Sequence, residues 1–196
     1  MSALYRITFE KMFKAAKLCR DQALDVPMLV LIYTSLDMLA WAVYGDETSE
    51  VQRRFISLCN THVLPDAGLS CTALELYAAR CSVLHTLGWE SNLSKLKKAR
   101  AFSYSFGNDD PRLAQEVLDH LRPGEFLAIK ADDLLTAAQR AVERVAQVAS
   151  SDQSLAARLA VAEGKQYRSL ESKASDAPFE AYLERYGARE RVPPIN

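Results

Sequence analysis

One apolar segment of this sequence carries two charges that need an explanation. It reads Glu75-Leu-Tyr-Ala-Ala-Arg-Cys-Ser-Val-Leu-His-Thr-Leu87, and its apolar residues recur at helical spacing. Arg80 and His85 lie inside it. Burying a polar group without a partner costs about 1–3 kcal/mol, and a full charge costs more. These two side chains are therefore predicted to have a binding partner or a chemical role.

Two apolar stripes run along the predicted helix, which extends over about residues 70–87. The first comprises Leu74, Tyr77, Ala78, Cys81, Leu84 and Gly88, with His85 inside it, and the second comprises Leu76, Val83 and Leu87. A helix that is apolar on two sides is either central in a fold or shared at an interface. We expect one stripe to face the core and the second stripe to face another subunit.

Length and composition indicate an ordinary soluble globular chain. It has 196 residues, of which 49% are hydrophobic and 25% charged, with a net charge of −1. This charge excludes a protein that binds polyanions through its overall field, so any nucleic-acid contact would need a local basic patch. We predict a helical domain over residues 1–150 and a C-terminal helical extension with a loose tail over residues 151–196.

The cysteines and the N-terminus favour a cytoplasmic protein with reduced thiols. No Cys-x-x-Cys pair is present, and no charged-then-apolar signal sequence precedes the first helix. The most apolar stretch, Val26–Tyr44, contains Pro27 and Asp37. It is predicted to be a buried core helix rather than a membrane span, so no membrane partner is expected.

The first half of the chain predicts four helices in close succession. They extend over residues 3–24, from Pro27 to Gly45, from an N-cap at Thr48 to Pro65, and over residues 70–87. Short connections between consecutive helices favour an antiparallel helical bundle. The predicted fold class is therefore mostly α.

The second half combines helices with a small β element. Residues 101–106 and 125–130 have strand patterns, and we expect them to pair as a two-stranded antiparallel ribbon within residues 100–131. Helices are predicted over residues 109–121, 131–149 and 152–163, with a short helical patch near residues 179–186. Residues 192–196 are predicted to be a loose tail.

The first 90 residues contain a recognisable combination of motif and context. The segment Leu76-Tyr-Ala-Ala-Arg80-Cys-Ser-Val-Leu-His85-Thr-Leu follows a hydrophobic second helix that reads Leu31-Ile-Tyr-Thr-Ser-Leu-Asp37-Met-Leu-Ala40. Together they resemble the HEPN superfamily over roughly residues 3–90. The resemblance implies a dimeric helical bundle whose Arg-x(4–6)-His motif, here Arg80 and His85, cleaves RNA at the dimer interface without a metal or other cofactor. It also implies a toxin–antitoxin, abortive-infection or anti-phage setting, with an antitoxin or another protein as a further partner.

The residue chemistry agrees with that role. An imidazole can take the proton of a 2′-hydroxyl at neutral pH, and a guanidinium stays protonated and bonds phosphate oxygens in pairs. Such cleavage leaves a 2′,3′-cyclic phosphate and spares DNA. Five helical residues turn Arg80 and His85 about 140° apart, with a rise of about 7.5 Å. We therefore expect a twofold partner to bring the two groups to one phosphate.

Further candidates surround the pair. Asp37, Cys81 and Ser82 are predicted to support it, and the basic cluster Lys95, Lys97, Lys98 and Arg100 is predicted to bind RNA phosphates, with Phe102, Tyr104 or Phe106 available for base stacking. Structural alternatives remain open. Arg80 can be a buried partner of Asp37 with no further use, and the basic cluster can be a solvated loop face.

Other chemistries have little support in the sequence. The histidines and cysteines have no metal-ligand spacing, no Gly-rich phosphate loop is present, and Ser82 has no orienting group for a nucleophile. The alternative from another class is a catalytically inactive HEPN domain that binds a nucleotide, RNA or protein as a regulatory subunit. Cys81 favours it, because many active members have a polar residue directly after the arginine.

Overall fold

The computed structural model describes residues 3–45 and 47–165, which form a mostly α-helical fold with a two-stranded parallel sheet. The helices are α1 (Ala3–Asp21), α2 (Asp25–Tyr44), α3 (Val51–Leu58), α4 (Ala73–Thr86), α5 (Asn92–Lys95), α6 (Pro111–Leu121), α7 (Ala131–Ser151) and α8 (Gln153–Gly164). The strands are β1 (Ala101–Ser105) and β2 (Phe126–Lys130), and a π-helical turn, Cys59–Val63, follows α3 directly. The mostly α fold class is confirmed.

Helix α2 lies at the centre of the bundle. It contacts α1, α3, α4, α7 and α8, and half of its residues are buried, including Ile32 and Tyr33. Pro27 lies in its first turn, where a missing amide proton breaks no helical hydrogen bond. By length and composition this helix could also cross a bilayer, and 56% of its most apolar window is buried inside the fold. Core helices of soluble proteins satisfy the same criteria.

Helix α4 begins at a capping box and ends in a left-handed residue. Thr72 accepts a hydrogen bond from the Glu75 amide at 3.2 Å, and Glu75 accepts one from the Thr72 amide at 2.8 Å. The helix stops where Leu87 adopts a positive φ of 50° and the Gly88 amide bonds back to the Ser82 carbonyl. Both ends of the motif helix are therefore set by local sequence.

The two stripes of α4 have the reverse of the expected roles. Leu76 and Val83 of the second stripe are buried in the core, and its last member, Leu87, is exposed where the helix ends. On the first stripe Tyr77, Cys81 and Leu84 are half-buried. The expectation that a partner packs across the second stripe was wrong, because the bundle already uses that face for α2 and α3.

Strands β1 and β2 are parallel, and the predicted antiparallel ribbon was wrong. Ala101 pairs with Phe126 and Ser105 with Lys130, in a register that runs the same way along both strands. Helix α6 connects the two strands and packs on both. A helical crossover returns the chain to the starting end of the sheet, so the second strand must run parallel to the first.

A side chain of α6 completes the outer edge of β2. The Gln115 side-chain oxygen accepts a hydrogen bond from the Ala128 amide at 2.7 Å, and its side-chain nitrogen donates to the Phe126 carbonyl at 3.3 Å. These two backbone groups have no strand partner on that side, because the sheet order is only β1-β2. Gln115 therefore substitutes for a third strand.

Several boundaries differ from the sequence expectations. Thr48 does not cap α3, which begins at Val51, because its hydroxyl accepts from the Glu50 amide within the preceding loop. Helix α5 was not predicted. Helix α8, predicted as part of the C-terminal extension, packs on α2 and α7, and one compact unit runs from Met1 to Lys165. The helical patch near residues 179–186 and the tail 192–196 lie outside the described residues.

Candidate functional site

Arg80 of α4 forms a charge pair with Asp37 of α2. The guanidinium donates from Nη2 to Asp37 Oδ2 at 2.6 Å, and Arg80 is only 9% exposed. Burial lowers the pKa of Arg80, but the hydrogen bond and charge of Asp37, together with a contribution from Cys81, outweigh burial and raise that pKa above its ordinary value. Arg80 is therefore held as a permanent cation.

His85 lies next to the same guanidinium. Arg80 Nη1 is 3.0 Å from His85 Nε2, and His85 is exposed. Since a guanidinium only donates, a hydrogen bond between these two atoms has Arg80 Nη1 as donor and His85 Nε2 as acceptor. The angle of about 140° between the two positions does not keep the side chains apart, because the long arginine side chain spans the turn that separates their Cα atoms. That a twofold partner brings both groups to one phosphate stays a prediction.

The Nε donor of Arg80 has no partner. Its Nε is buried and makes no hydrogen bond, although Nη1 and Nη2 are both occupied. A buried donor left unpaired costs about 1–3 kcal/mol. Such groups are rare in native proteins and each needs an explanation, which can be a functional one.

Tyr77 belongs to this cluster, and the sequence reasoning missed its role. It lies one helical turn before Arg80 and Cys81, and its ring packs on Phe55 with centroids 5.9 Å apart. Burial and a hydrogen bond with Cys81 raise the pKa of Tyr77 to about 12. The phenol therefore stays protonated at neutral pH. The spacing 77, 80, 81 was the signal that could have found it.

Solvent reaches the cluster through a shallow cavity beside Asp37. This cavity of about 260 Å³ is lined by Thr34, Asp37, Met38, Ala40, Trp41, Val51 and Arg54. Asp37 thus connects the buried Arg80 to an open groove between α2 and α3. Ser82, by contrast, is not brought into the cluster, because it is buried and its hydroxyl donates to the Ala79 carbonyl at 2.8 Å.

The basic cluster lies in a different groove. Lys95, Lys97, Lys98 and Arg100 line a cavity of about 420 Å³ together with parts of α5, β2 and the loop before β2. Neither Arg80 nor His85 lines it. Within one chain, the predicted phosphate-binding residues and the predicted catalytic pair therefore do not share a pocket.

Arg100 has a structural role within that groove. It donates from Nε to Glu75 Oε1 at 2.6 Å, and Glu75 is buried. Burial raises the pKa of Glu75, but the hydrogen bonds from Arg100 and Thr72 outweigh it and hold the pKa below its ordinary value. This ion pair ties the capping box of α4 to the start of β1.

The aromatic residues predicted for base stacking are mostly unavailable. Phe102 is buried, and the Tyr104 hydroxyl is 2.6 Å from that of Tyr33 in the core. The exposed Trp89 instead pairs with the half-buried Phe126, and their ring centroids are 5.2 Å apart. The Arg122 guanidinium lies over both rings, at 5.9 and 5.8 Å. No local pattern could have found this pairing, since it joins distant segments.

The fold and the site together define a mostly helical protein with an arginine–histidine–aspartate cluster at the bundle surface. Among the described residues, no three His, Cys, Asp or Glu side chains are grouped so that they could hold a metal ion. Comparisons with protein-family models, curated proteins and solved structures find no match to this chain.

Proposed function

We propose that this protein is a metal-independent endoribonuclease of HEPN type, with Arg80 and His85 as its catalytic pair. The observation that carries the proposal is the 3.0 Å approach of Arg80 Nη1 to His85 Nε2 beside an exposed imidazole. A guanidinium cation and an imidazole within one hydrogen bond of each other are the kinds of group that phosphodiester cleavage by a 2′-hydroxyl uses.

The reaction would proceed in a single displacement at phosphorus. His85 takes the proton of the 2′-hydroxyl, the 2′-oxygen bonds to phosphorus, and the bond from phosphorus to the 5′-oxygen breaks. The 5′-oxygen takes a proton from solvent water as this bond breaks and leaves as a hydroxyl. The other product is a 2′,3′-cyclic phosphate, and His85 then returns its proton to solvent. Arg80 stabilises the negative charge that builds up on the phosphate oxygens during this step.

The resting geometry indicates what substrate must do on arrival. The Arg80 Nη1 proton occupies the same His85 lone pair that would act as the base. A phosphate oxygen that accepts from Nη1 would free His85 Nε2 for the 2′-hydroxyl. Asp37 holds Nη2 meanwhile, so the guanidinium keeps its position and its charge during the exchange.

RNA has a more suitable path than the predicted basic cluster. The groove between α2 and α3 includes Asp37 and also presents Arg54 and the exposed Trp41. A cation and an aromatic ring in the groove that contains Asp37, the partner of Arg80, are suited to one phosphate and one stacked base of a single strand. We therefore place the substrate on this side of the protein.

We retain the homodimer as part of the proposal. The half-buried first stripe of α4, with Tyr77, Cys81 and Leu84, surrounds His85 and offers apolar surface to a second copy. Because one chain already joins Arg80 to His85, the partner would close the groove over the substrate rather than assemble the pair. A cytoplasmic role in defence or in a toxin–antitoxin pair remains an expectation from the resemblance.

A catalytically inactive regulatory domain that binds a nucleotide, RNA or protein is the second candidate. One observation favours it: the 2.6 Å bond between Arg80 and Asp37 is what a purely structural pair would also form. Under this alternative, loss of Arg80 would weaken the fold without affecting any reaction.

The decisive experiment measures RNA cleavage in EDTA by the wild type, Arg80→Ala and His85→Ala. His120→Ala is the matched control, since this exposed histidine lies on α6 away from the cluster. We expect the wild type and the control to cut RNA and leave cyclic phosphate ends. Each motif variant should lose at least about 100-fold in rate, because general acid–base catalysis typically contributes that much.

Folding must be separated from chemistry in this test. Arg80→Ala leaves Asp37 unpaired, so the double variant Arg80→Ala/Asp37→Asn and circular dichroism of every variant belong to the experiment. Equal cleavage by the wild type and by folded His85→Ala would refute the nuclease. Intact RNA in all samples, with single-stranded DNA equally untouched, would favour the regulatory domain.

A further inference from the structure

Two grooves outside the catalytic cluster share one wall. The basic groove, of about 420 Å³, is lined by five cations and three carboxylates, namely Lys95, Lys97, Lys98, Arg100, Arg122, Glu75, Glu90 and Glu125. A second, apolar groove of about 660 Å³ lies between the start of α2, the end of α4 and β1. Trp89, Arg122 and Phe126 line both. The two grooves therefore meet at an aromatic wall that carries a cation.

The basic groove has cations that an anion could recruit. Its charged side chains sum to +2. Lys95 is 3.5 Å from Glu90 and Lys97 is 3.8 Å from Glu125, both at exposed positions where ion pairs are worth little. Lys98 is exposed and has no ion pair within the described residues. An incoming anion would thus displace only weak contacts.

The apolar groove has several large hydrophobic side chains that are exposed to solvent. Trp89 is 51% exposed, and Val26 and Leu87 at the same groove are also exposed. Burial of such surface yields roughly 25 cal/mol per Å². A concave apolar surface with a few polar groups at its edge, in the range of about 300–1,000 Å³, is typical of a small-molecule site.

Arg122 lines both the basic groove and the apolar groove and offers hydrogen-bond donors where they meet. Its guanidinium carbon lies 5.9 Å from the centroid of the Trp89 ring and 5.8 Å from that of Phe126. The carboxylate of Glu125 is 3.9 Å away, too far for a hydrogen bond. The forked donors of Arg122 are therefore available to a carboxylate, sulfonate or phosphate that lies at the wall.

We propose that the two grooves form one binding site for an amphipathic small-molecule anion. Its apolar body, aromatic or aliphatic, packs on Trp89 in the apolar groove. Its anionic group bonds to Arg122 and faces Lys98 in the basic groove. The site is independent of RNA cleavage, because neither Arg80 nor His85 lines either groove.

The test uses two naphthalene probes that differ in charge. Anilinonaphthalene sulfonate carries an apolar body and an anion, and N-phenylnaphthylamine carries a similar body without the anion. The chain has two tryptophans, so a Trp41→Phe background leaves Trp89 as the only donor for energy transfer to a bound probe. We expect saturable transfer from Trp89 to both probes, with tighter binding of the sulfonate.

Variants separate the two halves of the site. Arg122→Gln/Lys98→Gln should weaken the sulfonate about tenfold, the effect of losing one charge-assisted contact of about 1.4 kcal/mol, and should change binding of the neutral probe by less than about twofold. Leu87→Ser should weaken both probes. Arg112→Gln, an exposed cation on α6 that lines neither groove, is the matched control.

Clear outcomes overturn the proposal. Absence of saturable transfer from Trp89, or a sulfonate affinity that is the same in wild type and in Arg122→Gln/Lys98→Gln, would refute it. Lys98→Gln alone guards against misfolding, since this exposed side chain has no structural partner and its variant should still weaken the sulfonate severalfold. Failure here leaves the RNA-cleavage result unaffected, and the reverse also holds.

Discussion

At the scale of single residues, the molecule concentrates its unusual chemistry on Arg80. A buried guanidinium needs a carboxylate, and Asp37 supplies it at 2.6 Å from the neighbouring helix. Nη1 of the same guanidinium is within hydrogen-bond distance of His85, and Nε has no partner. A residue that served stability alone would be better replaced by an apolar side chain, because desolvating an ion pair offsets much of its attraction. The arrangement is therefore more easily explained by a use for the cation.

The charge pair makes a prediction for stability. Asp37→Asn keeps the shape of the side chain but removes the charge that compensates Arg80, so we expect the free energy of unfolding to fall by about 1–3 kcal/mol. Glu10→Gln is the matched control, because it breaks the exposed Arg6–Glu10 pair and should cost under about 0.5 kcal/mol. Urea unfolding measures both. Equal losses would mean that Arg80 does not depend on Asp37.

At the scale of elements, the periodicity of apolar residues predicted the helices well. It could not predict how the two strands pair. The apolar run of α2 and the Thr72–Glu75 capping box define helices from local physics alone. A period of two identified β1 and β2, but it carries no information about strand direction. The helix predicted between the two strands did carry information about their direction, since a crossover helix connects parallel strands.

The candidate site divides in the same way. Arg80, His85 and Asp37 were identified because charges in apolar helices are visible in the sequence. The distances between their side chains could not be predicted, since a helical wheel locates Cα atoms and does not include the length of an arginine side chain. Trp89 and Phe126 lie 37 positions apart, so their contact depends on how β2 packs and could not be read from either segment.

Gln115 makes a prediction for the small sheet. Gln115→Ala removes the side-chain amide that bonds Ala128 and Phe126, and we expect the free energy of unfolding to fall by about 1–2 kcal/mol. Hydrogen exchange should show faster exchange of the Ala128 amide. Gln147→Ala, on the exposed face of α7, carries the same gain in helix propensity and should not destabilise. Unchanged protection of Ala128 in Gln115→Ala would show that water replaces the amide at no cost.

At the scale of the whole molecule, two of the apolar surfaces that the described chain exposes lie on helices and could pack against a second copy. One is the first stripe of α4 around His85, and the other is a stripe on α6 formed by Leu113, Val117 and Leu121 at intervals of four residues. The α6 stripe is the more exposed of the two. Self-association through α4 is thus in competition with association through α6, and only the former would enclose the catalytic pair.

Two buried titratable groups make the stability of the whole bundle depend on pH. Burial, with help from the charge of Arg144, lowers the pKa of His62 below its ordinary 6.5. Arg100 and Thr72 hold the pKa of Glu75 below its ordinary 4.5, in spite of the opposite effect of burial. In both cases the unfolded chain binds a proton at a higher pH than the folded protein does. Stability therefore rises with pH through each group's window.

Because folding lowers both pKa values, a plot of the free energy of unfolding against pH should fall in two separate ranges, an upper limb from His62 and an acid limb from Glu75. As pH falls below 6.5, His62 becomes protonated in the unfolded state while it stays neutral in the folded state. The free energy of unfolding therefore decreases until the pH reaches the pKa of His62 in the folded protein. Below pH 4.5, Glu75 becomes protonated in the unfolded state while it stays ionised in the folded state, and the free energy of unfolding decreases again. We expect urea unfolding of His62→Gln to flatten only the upper limb, and that of Glu75→Gln only the acid limb. Each variant is the control for the other, and an upper limb that persists in His62→Gln would assign it to a different group.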